Sequence, residues 1–165
     1  MAAPWARELL FCRTRRTAWD REEIVSLIYW DTMLFVYMIE DHPQFAPKVD
    51  RILGHMLKRR DVLCTSAFAY AEVLTGPIKE NEADLARDTR NYFRGDEVRL
   101  IPFTFETAEL FAEIRAKHSL PAADSIHLAT AAQAKVDLFI TNDKRLHKLT
   151  LPGIGFIVGL DGTVF

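Results

Sequence analysis

Four carboxylates punctuate the apolar parts of this chain. Asp31 ends the run Leu27-Ile28-Tyr29-Trp30, Glu72 stands between Ala71 and Val73 in an alanine-rich stretch, Asp124 follows Ala122-Ala123, and Asp143 closes Ile140-Thr141-Asn142. Singly, three of them have plain structural uses: Asp31 as a helix cap, Asp124 as a complement to a helix N-terminus, Asp143 as a turn residue. Glu72 is harder to dismiss, because lone carboxylates are rarely buried without a partner or a purpose. Gathered in one place, the four would repel: two like charges about 4 Å apart cost roughly 4 kcal/mol at an effective dielectric near 20. No Lys or Arg flanks Asp31, Glu72 or Asp124, so the neutralising charge is expected to be a bound cation. An all-oxygen shell favours Mg²⁺ or Mn²⁺ over zinc. Such an ion orients a phosphodiester, lowers the pKa of an attacking water and stabilises the leaving oxygen.

The elements that must carry these acids follow from the apolar pattern. Short runs rich in β-formers at 27–30, 62–65, 98–101, 138–141 and 155–158 read as strands. Between them lie helical stretches. One runs from Asp31 to about Glu40, one carries Val49, Ile52, Leu53 and Met56 at helical spacing, and one spans Ala67–Leu74 and is stopped by Gly76-Pro77. Further helices are expected at 80–94, at 104–118, and from Pro121 to Ala134. Strands alternating with helices specify an α/β fold whose parallel sheet is covered on both faces. In such a sheet, ligands bind beyond the carboxyl ends of the strands. Asp31 and Asp143 follow strands, Asp124 opens the helix that enters the fourth strand, and Glu72 lies on the helix after the second. All four acids are therefore expected on one edge.

Composition bounds what such a cleft belongs to. At 165 residues there is room for one domain, and a 49% hydrophobic content excludes disordered and low-complexity classes. Lys and Arg number 21 against 23 Asp and Glu, so a polyanion must be met locally rather than by a basic surface. Cys12 and Cys64 lie far apart without a metal-ligand pattern, which argues against a disulfide framework or a zinc site and for a reducing, cytoplasmic setting. No apolar run approaches the ~18 residues of a membrane span, and Arg7 and Glu8 interrupt the N-terminal segment where a signal peptide needs apolar residues. Residues 1–24 read as an N-terminal appendage and 25–165 as the domain. His127, one turn after Asp124, invites a metal-ligand reading, but no second histidine ligand set exists, so a hydrogen-bonding role is expected. Lys58-Arg59-Arg60 and Lys144-Arg145 read as solvated helix ends. A Gly-x-Ser-x-Gly elbow and a glycine-rich phosphate loop are both absent. A haloacid-dehalogenase-like phosphatase would need a second Asp where Met33 stands, and a receiver domain would need an Asp where Ile101-Pro102 stands.

Tyr-Trp-Asp31-Thr32, Ala-Tyr-Ala-Glu72-Val-Leu, Ala-Ala-Asp124-Ser-Ile-His-Leu-Ala-Thr-Ala and Ile-Thr-Asn-Asp143-Lys-Arg-Leu resemble, in order and spacing, the four acidic motifs of PIN-domain ribonucleases. The resemblance runs from about Leu27 to Leu160, and the short single-domain form looks most like the VapC toxins of type II toxin–antitoxin pairs. It implies a three-layer α/β/α sandwich, Mg²⁺- or Mn²⁺-dependent endoribonuclease activity on an RNA substrate, a homodimer and a small cognate antitoxin protein. By motif position, Asp31, Glu72, Asp124 and Asp143 would hold metal and water. Thr32 and Thr141 would support them, Thr141 by orienting a carboxylate through a hydrogen bond. Met33 departs from the Asn that many members carry after the Asp-Thr pair. A housekeeping RNA-processing nuclease and a non-catalytic RNA-binding scaffold are the alternatives, and metal-dependent cleavage separates the latter from an enzyme.

Overall fold

The structure is a computed structural model that describes residues 26–162. The appendage assigned to 1–24 lies outside the described residues, as does Cys12. Five strands alternate with helices in chain order: β1 (Leu27–Trp30), α1 (Thr32–Ile39), α2 (Ala46–Arg59), β2 (Val62–Ser66), α3 (Ala67–Lys79), α4 (Ala83–Arg94), β3 (Arg99–Ile101), α5 (Phe105–His118), α6 (Ala122–Ala134), β4 (Val136–Ile140) and β5 (Ile154–Val158), with a short 3₁₀ turn at Leu146–Lys148. Every strand pair is parallel, in the order β3-β2-β1-β4-β5. The chain forms the expected α/β/α sandwich.

Alternation along the strands builds the two cores. Ile28, Trp30, Leu63, Leu138 and Ile140 pack on one face against Phe35, Val49, Met56, Val73 and Phe93 from α1 to α4. Tyr29, Cys64 and Phe139 point to the other face, against Ile114 of α5 and Leu128, Ala129 and Ala132 of α6. The small residues of α6 let that helix lie close to the sheet, where a larger side chain would hold it away. Gly153 serves the same closeness. Its φ is +88°, and a Cβ there would stand 2.3 Å from the Ala132 carbonyl oxygen, so the turn into β5 admits only glycine. Burial pushes the Cys64 thiol up to about 12, as expected of a core cysteine. Among the described residues, no helix is long and apolar enough to cross a membrane.

Two boundaries differ from expectation. The helix carrying Glu72 does not stop at Gly76-Pro77 but continues through Pro77 to Lys79. Pro77 falls in the last turn, so it removes a single helical hydrogen bond, and its ring extends the buried stripe of Ala69 and Val73 at four-residue spacing. The helix closes behind it, with the Glu80 N–H on the Gly76 carbonyl at 3.0 Å. The neighbouring helix, expected at 80–94, begins at Ala83 and buries Ala86, Thr89, Tyr92 and Phe93.

Phe139 is fully buried and its ring stacks on that of Tyr29, with centroids 4.9 Å apart. Phe139→Ala is expected to cost about 3–5 kcal/mol through lost burial and the cavity left behind. The check is a lowered denaturant midpoint at unchanged slope.

Candidate functional site

The strand order reverses between β1 and β4: β2 and β3 extend the sheet on one side of β1, β4 and β5 on the other. A crevice opens at such a switch point beyond the carboxyl ends of the strands. Asp31 stands there as the N-cap of α1, its backbone extended at φ −66°, ψ 155°. The Asp31 N–H bonds to the Ile140 carbonyl across the β1–β4 seam at 3.0 Å. Both carboxylate oxygens are braced: Oδ1 accepts from the Thr32 N–H at 2.7 Å, and Oδ2 accepts from the Thr141 hydroxyl at 2.7 Å. The same Thr141 oxygen accepts the Asp143 N–H at 3.0 Å. One buried hydroxyl thus joins the acid after β1 to the turn after β4.

Glu72 comes from α3 and meets α6. Its Oε2 lies 2.9 Å from His127 Nε2 and accepts the Thr32 hydroxyl at 2.5 Å. His127 Nε2 is also 3.8 Å from Asp31 Oδ1, so Glu72 and Asp31 flank one imidazole nitrogen. Burial works to raise the Glu72 carboxyl, but the hydrogen bonds from His127 and Thr32 outweigh it and hold the group below its ordinary value. His127 itself is only 3% exposed. As the sequence suggested, it is a hydrogen-bonded histidine.

Asp124, in the first turn of α6, and Asp143 complete the set through a residue read as a solvated helix end. Arg145 grips Asp143 with Nε at 3.0 Å from both oxygens and Nη2 at 2.5 Å from Oδ2, and the same Nη2 reaches Asp124 Oδ2 at 3.4 Å. The ion pair, reinforced by the Arg145 backbone N–H, lowers the Asp143 carboxyl. Burial raises that of Asp124; Arg145 opposes the rise, while Asp143 and Asp31 add to it. Sequence adjacency could not find this cation, because its partner Asp124 lies on another element. The only local signal was the Asp-x-Arg spacing, which suits a side chain folding back on its own turn.

All four predicted acids line one cleft together with Thr32 and His127, and Met33, Tyr37, Ala123 and Asn142 complete its wall. Asn142 donates to the Tyr37 hydroxyl at 3.0 Å, which ties the turn after β4 to α1. Among the described residues, no three His, Cys, Asp or Glu side chains already close on one point as a finished metal cage. Mg²⁺ does not need one: it keeps several of its waters and is held by one or two carboxylates plus substrate phosphate. Four carboxylates, each 16–33% exposed on one open cleft, match that requirement, and no cysteine or free imidazole lines the cleft to compete for the ion.

A family model described as the PIN domain matches residues 28–151. No curated protein matches the chain by sequence. Among solved structures, the chain is similar to VapBC2 of Rickettsia felis, bound to a DNA fragment from its promoter: 17% identity, TM-score 0.66, covering 81% of this chain and 98% of that one. It is similar to DNA-bound VapBC of Salmonella typhimurium at 17% identity and TM-score 0.65, covering 82% and 99%. It is also similar to VapC20 of Mycobacterium tuberculosis, a toxin that cleaves the sarcin–ricin loop, at 15% identity and TM-score 0.60, covering 74% and 96%.

The lowered Glu72 carboxyl makes a prediction for metal-free protein. A depressed carboxylate contributes stability above its unfolded pKa and loses it as the pH falls through the folded value. The stability advantage of wild type over Glu72→Gln in EDTA is therefore expected to be full at pH 7, to fade below about 4.3, and to vanish under the lowered folded value. Unfolding midpoints of the two proteins across that range check it.

Proposed function

The chain belongs to the PIN domain family, and from that membership and the chemistry of the cleft we propose that it is a Mg²⁺- or Mn²⁺-dependent endoribonuclease, the toxin of a toxin–antitoxin pair. The observation that carries the reading is the meeting of Asp31, Glu72, Asp124 and Asp143 on one cleft at the sheet's switch point. These four would hold the ion. When bound, it supplies an activated water and a counter-charge for the leaving oxygen of an RNA phosphodiester.

The chain's own residues set the geometry. Thr32 N–H and Thr141 Oγ1 hold the Asp31 carboxylate from both sides, so it cannot rotate to suit another ligand arrangement. Glu72 uses Oε2 for Thr32 and His127, while its Oε1 accepts no hydrogen bond among the described residues and remains available to the ion or its water. Arg145 is exposed at the mouth of the cleft. Once cation charge is taken up by Asp124 and Asp143, its planar guanidinium offers a bidentate donor for the non-bridging oxygens of a phosphate. That local cation and the ion answer for a surface whose net charge is −2.

The likeness of the fold to proteins solved in toxin–antitoxin complexes supports an antitoxin as partner; the homodimer is proposed from the family resemblance alone. An inserted Arg or Lys from such a partner would silence the cleft by replacing the ion. Expression of the wild-type chain alone is expected to arrest growth, and co-expression with a small neighbouring gene to restore it and to co-purify the two proteins. Active but harmless protein, with no binding by that neighbour, would indicate a housekeeping RNA-processing role.

Purified protein is expected to cleave RNA, to stop in EDTA and to resume with Mn²⁺. Asp124→Asn should lower the rate by roughly 100-fold or more while unfolding at the same temperature or slightly higher, since it removes a carboxylate whose ionised form is disfavoured by burial. Cleavage untouched by thorough chelation would overturn the mechanism.

A further inference from the structure

We propose that His127 is a positioning residue that presents Glu72 to the metal ion, and that Tyr29 dictates which imidazole nitrogen carries the proton needed to do so. The inference rests on the reading of Glu72 as a ligand and extends it to two residues outside the acidic set.

The argument is a chain of donors and acceptors running from the core to the cleft. The Ser66 backbone N–H donates to the Tyr29 hydroxyl oxygen at 3.2 Å, and the hydroxyl lies 2.8 Å from His127 Nδ1, the acceptor to which we assign its proton. Ser66 Oγ, 3.4 Å from Nδ1, is engaged as the α3 cap and accepts the Ala69 N–H at 2.8 Å. With Nδ1 as the acceptor, the donating ring nitrogen is Nε2. Nε2–H faces Glu72 Oε2 at 2.9 Å. Thr32, whose oxygen is 3.2 Å from Nε2, gives its own proton to the same Oε2. Two donors thus converge on one carboxylate oxygen and leave the other for the ion.

The imidazole is well placed to hold that orientation. It is buried to 3% exposure and meets the rings of Phe68 and Tyr29 edge-on, with centroids 5.5 and 6.1 Å away. Tyr29 is fully buried in turn and stacked on Phe139. A partner that fixes the orientation of a metal-binding side chain is typically worth about 10–100-fold in metal affinity.

The test uses full-length protein and Mn²⁺, whose binding is followed by electron paramagnetic resonance without any substrate. Gln places its side-chain amide nitrogen near the position of Nε2, whereas Asn places its own near Nδ1. His127→Gln is therefore expected to bind Mn²⁺ close to the wild-type value, and His127→Asn about 10–100-fold more weakly. Long-range ¹H–¹⁵N correlation spectra of metal-free wild type are expected to show the His127 proton on Nε2 and, in Tyr29→Phe, a shift of population toward Nδ1. The spectrum of the wild type needs no variant to fold. Wild-type binding retained by a folded His127→Asn, or a proton on Nδ1 in the wild type, overturns this proposal alone. Wild-type protein that binds no Mn²⁺ overturns the metal reading of the cleft, and this proposal with it.

Discussion

Mutual repulsion among carboxylates is the constraint to which the rest of this structure answers. Four acids from distant parts of the chain share one cleft, and each brings a charge that burial alone would discourage. Each is accommodated differently. Asp31 is held by a backbone N–H and a hydroxyl, Glu72 by a hydroxyl and an imidazole, and Asp143 by a guanidinium that also reaches Asp124. Asp124 has the poorest support, with one long contact to Arg145, and burial raises its carboxyl. The site is a graded set of charges in which the least satisfied member has the most to gain from a cation.

The parallel sheet supplies the rigidity that this gathering needs. β1 lies at the centre of the order β3-β2-β1-β4-β5, so the acid at its end is flanked by structure on both sides. Thr65 of β2 donates to the Trp30 carbonyl at 2.7 Å, and Ile140 of β4 accepts from the Asp31 N–H at 3.0 Å, fastening the strand where it delivers Asp31. Tyr29 joins core and site: its ring packs against Phe139 in the hydrophobic layer, and its hydroxyl reaches the imidazole that holds Glu72. Packing beneath the sheet edge and orientation of charge above it are therefore mechanically linked.

Much of this was legible in the residues. Abrupt acids after β-forming runs located Asp31 and Asp143, because a strand ending in a carboxylate places it at the sheet edge whatever the tertiary detail. The small residues of Ala122–Ala134 mark a helix that packs against the sheet. Glu72 stood out by contrast with its apolar neighbours. Pro77 misled, since proline marks a helix end only on average, and here a buried stripe continues through it for the last turn. Arg145 is solvent-exposed as its sequence context suggests and pairs with Asp143 two residues away, but its reach to Asp124 on α6 is a pairing across elements that leaves no local spacing to read.

By itself, the sequence determined the α/β order, the two-sided burial of the strands and the edge on which the acids fall. Those depend on local periodicity and on the direction in which a parallel strand must run. Tertiary structure alone decided which distant atoms restrain each acid: Thr141 on Asp31, Thr32 and His127 on Glu72, Arg145 on Asp124. A hydrogen bond requires its donor within about 3 Å and in line, and only the packing of α6 against α3 and of β4 beside β1 brings such distant residues to that distance.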